Sequence, residues 1–190
     1  MKTRAGLDRE ALVAAAIAIV DSDGVAGLSM ARLARHVGVR PPSLYAHIAN
    51  QRALRKQLWL WAVGDLGERL RASVMGRSGE EALFAFADAL RAYAELFPGR
   101  YRLTLEPPEP FDGEAAAARR HANAAFQAVI GSFGLDRTHA ARVGRAMRSA
   151  IHGFVMLEAD DALGDDDVDE SFRQMIELLA KGLRPAALVS

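Results

Sequence analysis

"VGVRPPSLYAHIANQRAL", residues 37–54, sets two adjacent prolines inside a chain rich in Ala and Leu, and follows them with Ser43, Tyr45, His47 and Arg52. Proline is favoured at the first helical position, where its missing N–H has no intrahelical partner, and it drives the residue before it into extended backbone. Arg40 therefore reads as a cap and Pro41 as the start of a short helix over residues 41–48. Gly38 is the left-handed stop of a preceding helix, residues 30–37, which Ser29 caps. Outward from this pair, Asp8 caps a first helix over residues 9–22, and Asn50 caps a long fourth one, "QRALRKQLWLWAVGDLGERLRASV". Helix, tight turn and helix, held between two longer helices, make a helix-turn-helix arrangement.

The second helix of that pair presents Ser43, Tyr45, Ala46 and His47, while Leu44 and Ile48, four apart, turn inward. Hydroxyls, an imidazole and proline rings suit the floor of a DNA major groove, where they meet base edges, phosphates and thymine methyls. Net charge over the 190 residues is zero, yet residues 1–60 hold nine Lys and Arg against four Asp and Glu. That surplus of five, offset in the remainder, marks an amino-terminal surface suited to an anion. Lys2 and Arg4 precede the first cap and read as an arm that adds phosphate or minor-groove contacts.

"LSMARLARHVGV" and "SLYAHIANQRAL" together resemble the DNA-binding domain of the TetR-type transcriptional repressors, closest to its tetracycline-repressor-like members. The resemblance covers residues 8–56, about a quarter of the chain. It implies that Ser29 and Met30 lie at the groove entry, that Pro41, Pro42 and Ser43 meet bases, and that Tyr45 and His47 hold phosphate. Where the family often has Lys at the start of the fourth helix, this chain has Gln51, leaving that phosphate to Arg52 or to the helix N-terminus.

The chain is thus expected to be all-α with about nine helices: a three-helix DNA-binding domain over residues 1–50, then a helical effector-binding and dimerisation domain over residues 51–190. Ser78 and Glu81 open a fifth helix in capping-box spacing, and Pro98 and Gly99 end it. "RYRLTLEPPEPFDG" reads as a polar, proline-rich connection and a rim. Further helices follow over residues 113–133, 136–159 and 170–183, the last two separated by an acidic stretch with no EF-hand spacing.

Trp61, Phe86, Leu90, Tyr93, Tyr101, Phe126, Met147 and Ile151 exceed the apolar surface a thin helical layer needs, and with His152 they are the expected lining of an effector pocket. The pattern suggests no buried Arg or Lys, so the expected ligand is neutral, aromatic or lipophilic. Residues 139–157 carry a second face of small or flexible side chains. Ser149, Gly153 and Met156, with Phe172, Ile176 and Leu179, are the expected contacts of a homodimer, and the family resemblance implies the same through its last two helices.

Cysteine is absent, which excludes disulfides, thiolate zinc sites and thiol catalysis. No catalytic constellation, glycine-rich phosphate loop or metal-ligand spacing occurs, so neither enzyme, metal nor cofactor is expected. With no 18-residue apolar run and no signal-like start, the expectation is a cytoplasmic protein without membrane association. The partners expected are double-stranded operator DNA, an unknown small-molecule effector and a second copy of the chain. A constitutive DNA-binding protein without an effector is the alternative.

Overall fold

Asp8 accepts a hydrogen bond from the Ala11 amide at 2.8 Å, and behind this cap α1 (Arg9–Asp23) turns Leu12, Ala16, Ile19 and Val20 to one side. The structure is a computed structural model that describes residues 7–164 and 167–183. A 3-10 turn (Val25–Gly27) leads to α2 (Met30–His36), α3 (Pro41–Leu44), α4 (Gln51–Val74), α5 (Gly79–Leu96) and α6 (Pro98–Leu105). Then come α7 (Gly113–Gly131), α8 (Arg137–Ala159) and α9 (Val168–Leu183). The described residues contain no strand, so the chain is all-α as its periodicity requires.

Packing divides the chain into two units, residues 1–65 with 97–120 and residues 66–96 with 121–190, so the cuts fall inside α4 and α7. In the first unit, Leu33, Ala34, Leu44, Ile48, Leu54 and Leu58 close on the apolar side of α1, and Leu103 of α6 joins them. Burying a Leu or Ile side chain is worth about 1.5–3 kcal/mol. Leu44 and Ile48 thereby fix a helix of four residues that would not persist alone.

Residues 98–105 differ from the expected loop. Pro98 occupies the first position of α6, so it starts a new helix as well as ending α5. Gly99 sits against α1 so closely that a Cβ there would stand 2.5 Å from the Val20 carbonyl oxygen and 2.8 Å from its Cγ1. The Arg100 guanidinium then donates to both carboxylate oxygens of Asp21, at 2.6 and 2.7 Å, and reaches Asp65 at 3.5 Å. Only residues 106–112 remain a connection.

In the second unit, α5 buries Leu83, Phe86, Leu90 and Tyr93; α7 buries Phe126, Val129 and Ile130; α8 buries Met147, Ile151 and Val155; and α9 buries Phe172, Ile176 and Leu183. Arg91 of α5 ties three of these helices together. Its guanidinium pairs with Glu158 of α8 and with Asp169 of α9, at 2.7 Å, and lies over the Phe172 ring. Its pKa is raised, first by the hydrogen bonds to Glu158.

Candidate nucleic-acid interface

Ser29 caps α2, its Oγ accepting from the Arg32 amide at 3.1 Å while the side chain stays exposed. Arg32 also donates to Asp23 at 2.7 Å, fastening the start of α2 to the end of α1. Gly38, at φ +72°, turns the chain where an L side chain would be strained, and the Val39 amide returns to the Ala34 carbonyl at 2.9 Å. Arg40 follows in extended backbone, Pro41 begins α3, and the Ser43 amide donates to the Arg40 carbonyl at 2.9 Å.

With Leu44 and Ile48 in the core, the opposite side of α3 has no choice but solvent. Arg40, Pro41, Pro42, Ser43 and Tyr45 are exposed, Tyr45 by 51%, while Met30 and His47 are half-buried. Tyr45, on a segment anchored from beneath, presents its ring and hydroxyl to solvent. Asn50 caps α4 by accepting from the Ala53 amide at 2.8 Å, which leaves Gln51 and Arg52 exposed on its first turn. These side chains share one unit, and their amides and hydroxyls can meet an anionic, hydrogen-bonding surface. Lys2 and Arg4 lie outside the described residues.

The residues expected to line an effector pocket fall into both units. Phe86 and Phe126 meet at 4.9 Å between centroids in the second unit, where Leu90, Tyr93, Met147 and Ile151 are buried as well. His152 is half-buried there, and desolvation pushes its pKa below the ordinary value. Trp61 and Tyr101 belong to the first unit. Trp61 is partly exposed beneath the Arg100 guanidinium, and burial pushes the Tyr101 hydroxyl pKa up.

Of the residues expected to contact a second subunit, Phe172 and Ile176 instead point into the core of their own chain. Ser149 is exposed and Gly153, Met156 and Leu179 are half-buried. The periodicity of α9 missed Leu178, which is 68% exposed, as it missed Leu157 of α8. No charged side chain among the described residues is buried as a whole, in line with the sequence pattern, and Arg119 is half-buried. Its Nε is buried, without a hydrogen-bond partner among the described residues, and its guanidinium lies over Trp59 and Phe111.

A short anchored helix with an exposed hydroxyl-rich face, a tight glycine turn before it and a capped long helix after it define a helix-turn-helix DNA-binding protein. Residues 83–179 match the family model described as the tetracyclin repressor-like C-terminal domain. Over 180 residues, 94% of this chain and 83% of the relative, it is 36% identical to the uncharacterized HTH-type transcriptional regulator Rv0681 of Mycobacterium tuberculosis. A protein of unknown function from Rhodococcus sp. RHA1 has the same fold, at a TM-score of 0.83 and 21% identity over 97% of this chain and all of that one. A TetR variant from Acinetobacter baumannii AYE in complex with minocycline superposes at a TM-score of 0.68 and 25% identity, over 95% of this chain and all of that one. The chain belongs to the TetR-type family of transcriptional regulators, which are not enzymes. No described helix is long and apolar enough to cross a membrane.

Proposed function

We propose that this protein is a homodimeric repressor that binds a near-palindromic operator through α3 and is released by a small molecule. The exposed Tyr45 on a helix fixed from beneath by Leu44 and Ile48 carries the DNA half of the reading. Ser29, Met30, Arg40, Pro41, Pro42 and Ser43 surround it, and His47 and Arg52 extend the surface toward phosphate. Two such helices in successive major grooves ask for half-sites about 34–36 Å apart on one face of the duplex.

Residues 1–50 thus serve DNA and residues 51–190 serve effector and partner, with α4 running from the one function into the other. Subunit contact is assigned to the outer side of α8 and α9, where Ser149, Gly153, Met156, Leu157, Leu178 and Leu179 leave apolar or small side chains uncovered. An effector held within the second unit, among Phe86, Leu90, Tyr93, Phe126, Met147, Ile151 and His152, releases DNA only by favouring one arrangement of the dimer over another. The minocycline-bound relative supports ligand control in this chain too.

Truncating Tyr45 to Ala should weaken operator binding by about 1–3 kcal/mol, the scale of one good contact, without lowering the melting temperature. The operator is first selected from a random duplex library, and both proteins are then titrated against it in a gel shift. A folded Tyr45→Ala protein with unchanged affinity would refute the assignment.

A further inference from the structure

α8 and α9 form a hairpin whose two ends carry opposite charge. At the turn end Phe154 of α8 meets Phe172 of α9 at 5.1 Å between centroids, and Arg91 of α5 holds Glu158 and Asp169. Asp161, Asp167 and Glu170, the other carboxylates there, are exposed and pair with no cation among the described residues. Asp167 caps α9 by accepting from the Glu170 amide at 3.0 Å, and the Glu170 carboxylate accepts from the Gln174 side chain at 3.1 Å. The far end is basic. From Arg137 to Leu157, α8 carries four arginines and no carboxylate. Arg137, Arg142 and Arg145, with Lys181 in the last turn of α9, are exposed and have no hydrogen bond or ion pair among the described residues.

Helical spacing sets where these charges lie. Arg142, Arg145, Ser149, Gly153 and Met156 follow one another at intervals of three and four, so one stripe of α8 runs from two arginines into the small and apolar side chains assigned above to subunit contact. Gly144, Met147, Ile151 and Val155 hold the other side of α8 in the core, which turns the arginine stripe away from its own subunit. Glu170, Gln174, Leu178 and Lys181 make the outer stripe of α9, with Glu177 midway along it. Arginines three apart on one helix repel each other, and no described carboxylate of the same chain offsets Arg142 and Arg145.

We infer that the hairpins of two copies of this chain lie antiparallel, α8 of one beside α9 of the other, with Arg142 and Arg145 against the acidic turn end formed by Asp161 and Glu170 of the partner subunit. The inference rests on the homodimer proposed above and adds how its surfaces choose each other. A two-fold axis repeats every contact, so parallel hairpins would set arginine end on arginine end and carboxylate end on carboxylate end. Like charges brought together across an interface are penalised, whereas the antiparallel arrangement gives both ends an opposite charge and leaves the apolar stripe between them.

The test uses the full chain without DNA. Its dimer dissociation constant is read by sedimentation through a dilution series at about 0.01 M and about 0.1 M salt, between which the screening length falls from about 30 Å to about 10 Å. The unaltered dimer should loosen as salt rises. Arg142→Glu/Arg145→Glu should dissociate at least about tenfold more readily at the lower salt and should tighten as salt rises, because its ends then repel. Asp161→Asn/Glu170→Lys, where Asn suits the left-handed backbone at φ +55°, should be weakened as well, and mixing the two altered chains should restore a mixed dimer close to the unaltered affinity. All four positions are exposed, so the substitutions spare the core, and helix content checks the fold. An Arg142→Glu/Arg145→Glu chain that associates as tightly as the unaltered one, or that loosens with salt as the unaltered one does, would overturn the inference, as would a mixture that associates no better than its components. A role of the arginines within one subunit would not reverse the sign of the salt dependence. An unaltered chain that stays monomeric at every concentration would refute the homodimer reading itself, and the inference with it.

Discussion

Gly64 and Gly67 lie one turn apart in α4, share its helical backbone, and differ in what a methyl group would meet. A Cβ at Gly64 has nothing within 4 Å, whereas at Gly67 it would stand 2.8 Å from the Cα and 3.0 Å from the Cβ of Ala122 on α7. Replacing Gly by Ala inside a helix gains about 1 kcal/mol of propensity, and that gain is common to both sites. Forcing a methyl against backbone costs about 1–3 kcal/mol, and that cost falls on Gly67 alone. Gly64→Ala should therefore stabilise by about 1 kcal/mol, and Gly67→Ala should fall below it by about 2 kcal/mol. For a chain of this size each kcal/mol moves the melting temperature by about 2–4 °C, so the two variants should differ by about 4–8 °C. Calorimetry at one matched protein concentration checks this, because the stability of an associating protein depends on concentration. A Gly67→Ala protein melting at or above Gly64→Ala would refute the close α4–α7 crossing.

If the proposed dimer forms through α8 and α9, Leu178→Glu, at a leucine 68% exposed in the single chain, should halve the mass measured by light scattering while leaving helix content intact. A dimer of unchanged mass would remove Leu178 from the subunit interface. His152 is expected to lower stability as acid is added. Its folded pKa is depressed by burial below the ordinary 6.5, so on acidification the unfolded chain takes up a proton before the folded one does. Stability is then retained above about pH 6.5 and lost as pH falls toward the folded value, and His152→Gln should flatten that part of a urea midpoint-against-pH curve. A variant with the same slope would assign the pH dependence to another group.

Sequence alone determined the parts of this protein that rest on local backbone chemistry. Pro41 at a helix start, Gly38 at a positive φ, and the caps Asp8, Ser29 and Asn50 each act within about four residues, so the helix-turn-helix was legible before any packing was known. The all-α class followed from apolar spacings of three and four along the longer helices, with no stretch of strict alternation. Tertiary structure decided what local signals leave open. Pro98 can end one helix and begin the next, and the Gly99 contact on Val20 and the Arg100 pair on Asp21, some 79 residues away in sequence, accompany the second outcome. The sides of α9 are apolar on more than one stripe, and only the neighbouring helices turn Phe172 and Ile176 inward while leaving Leu178 outside. Likewise nothing in the spacing of Trp59 and Arg119, sixty positions apart, announces a guanidinium on an indole, because a stacking contact is made by two helices meeting and has no period in either.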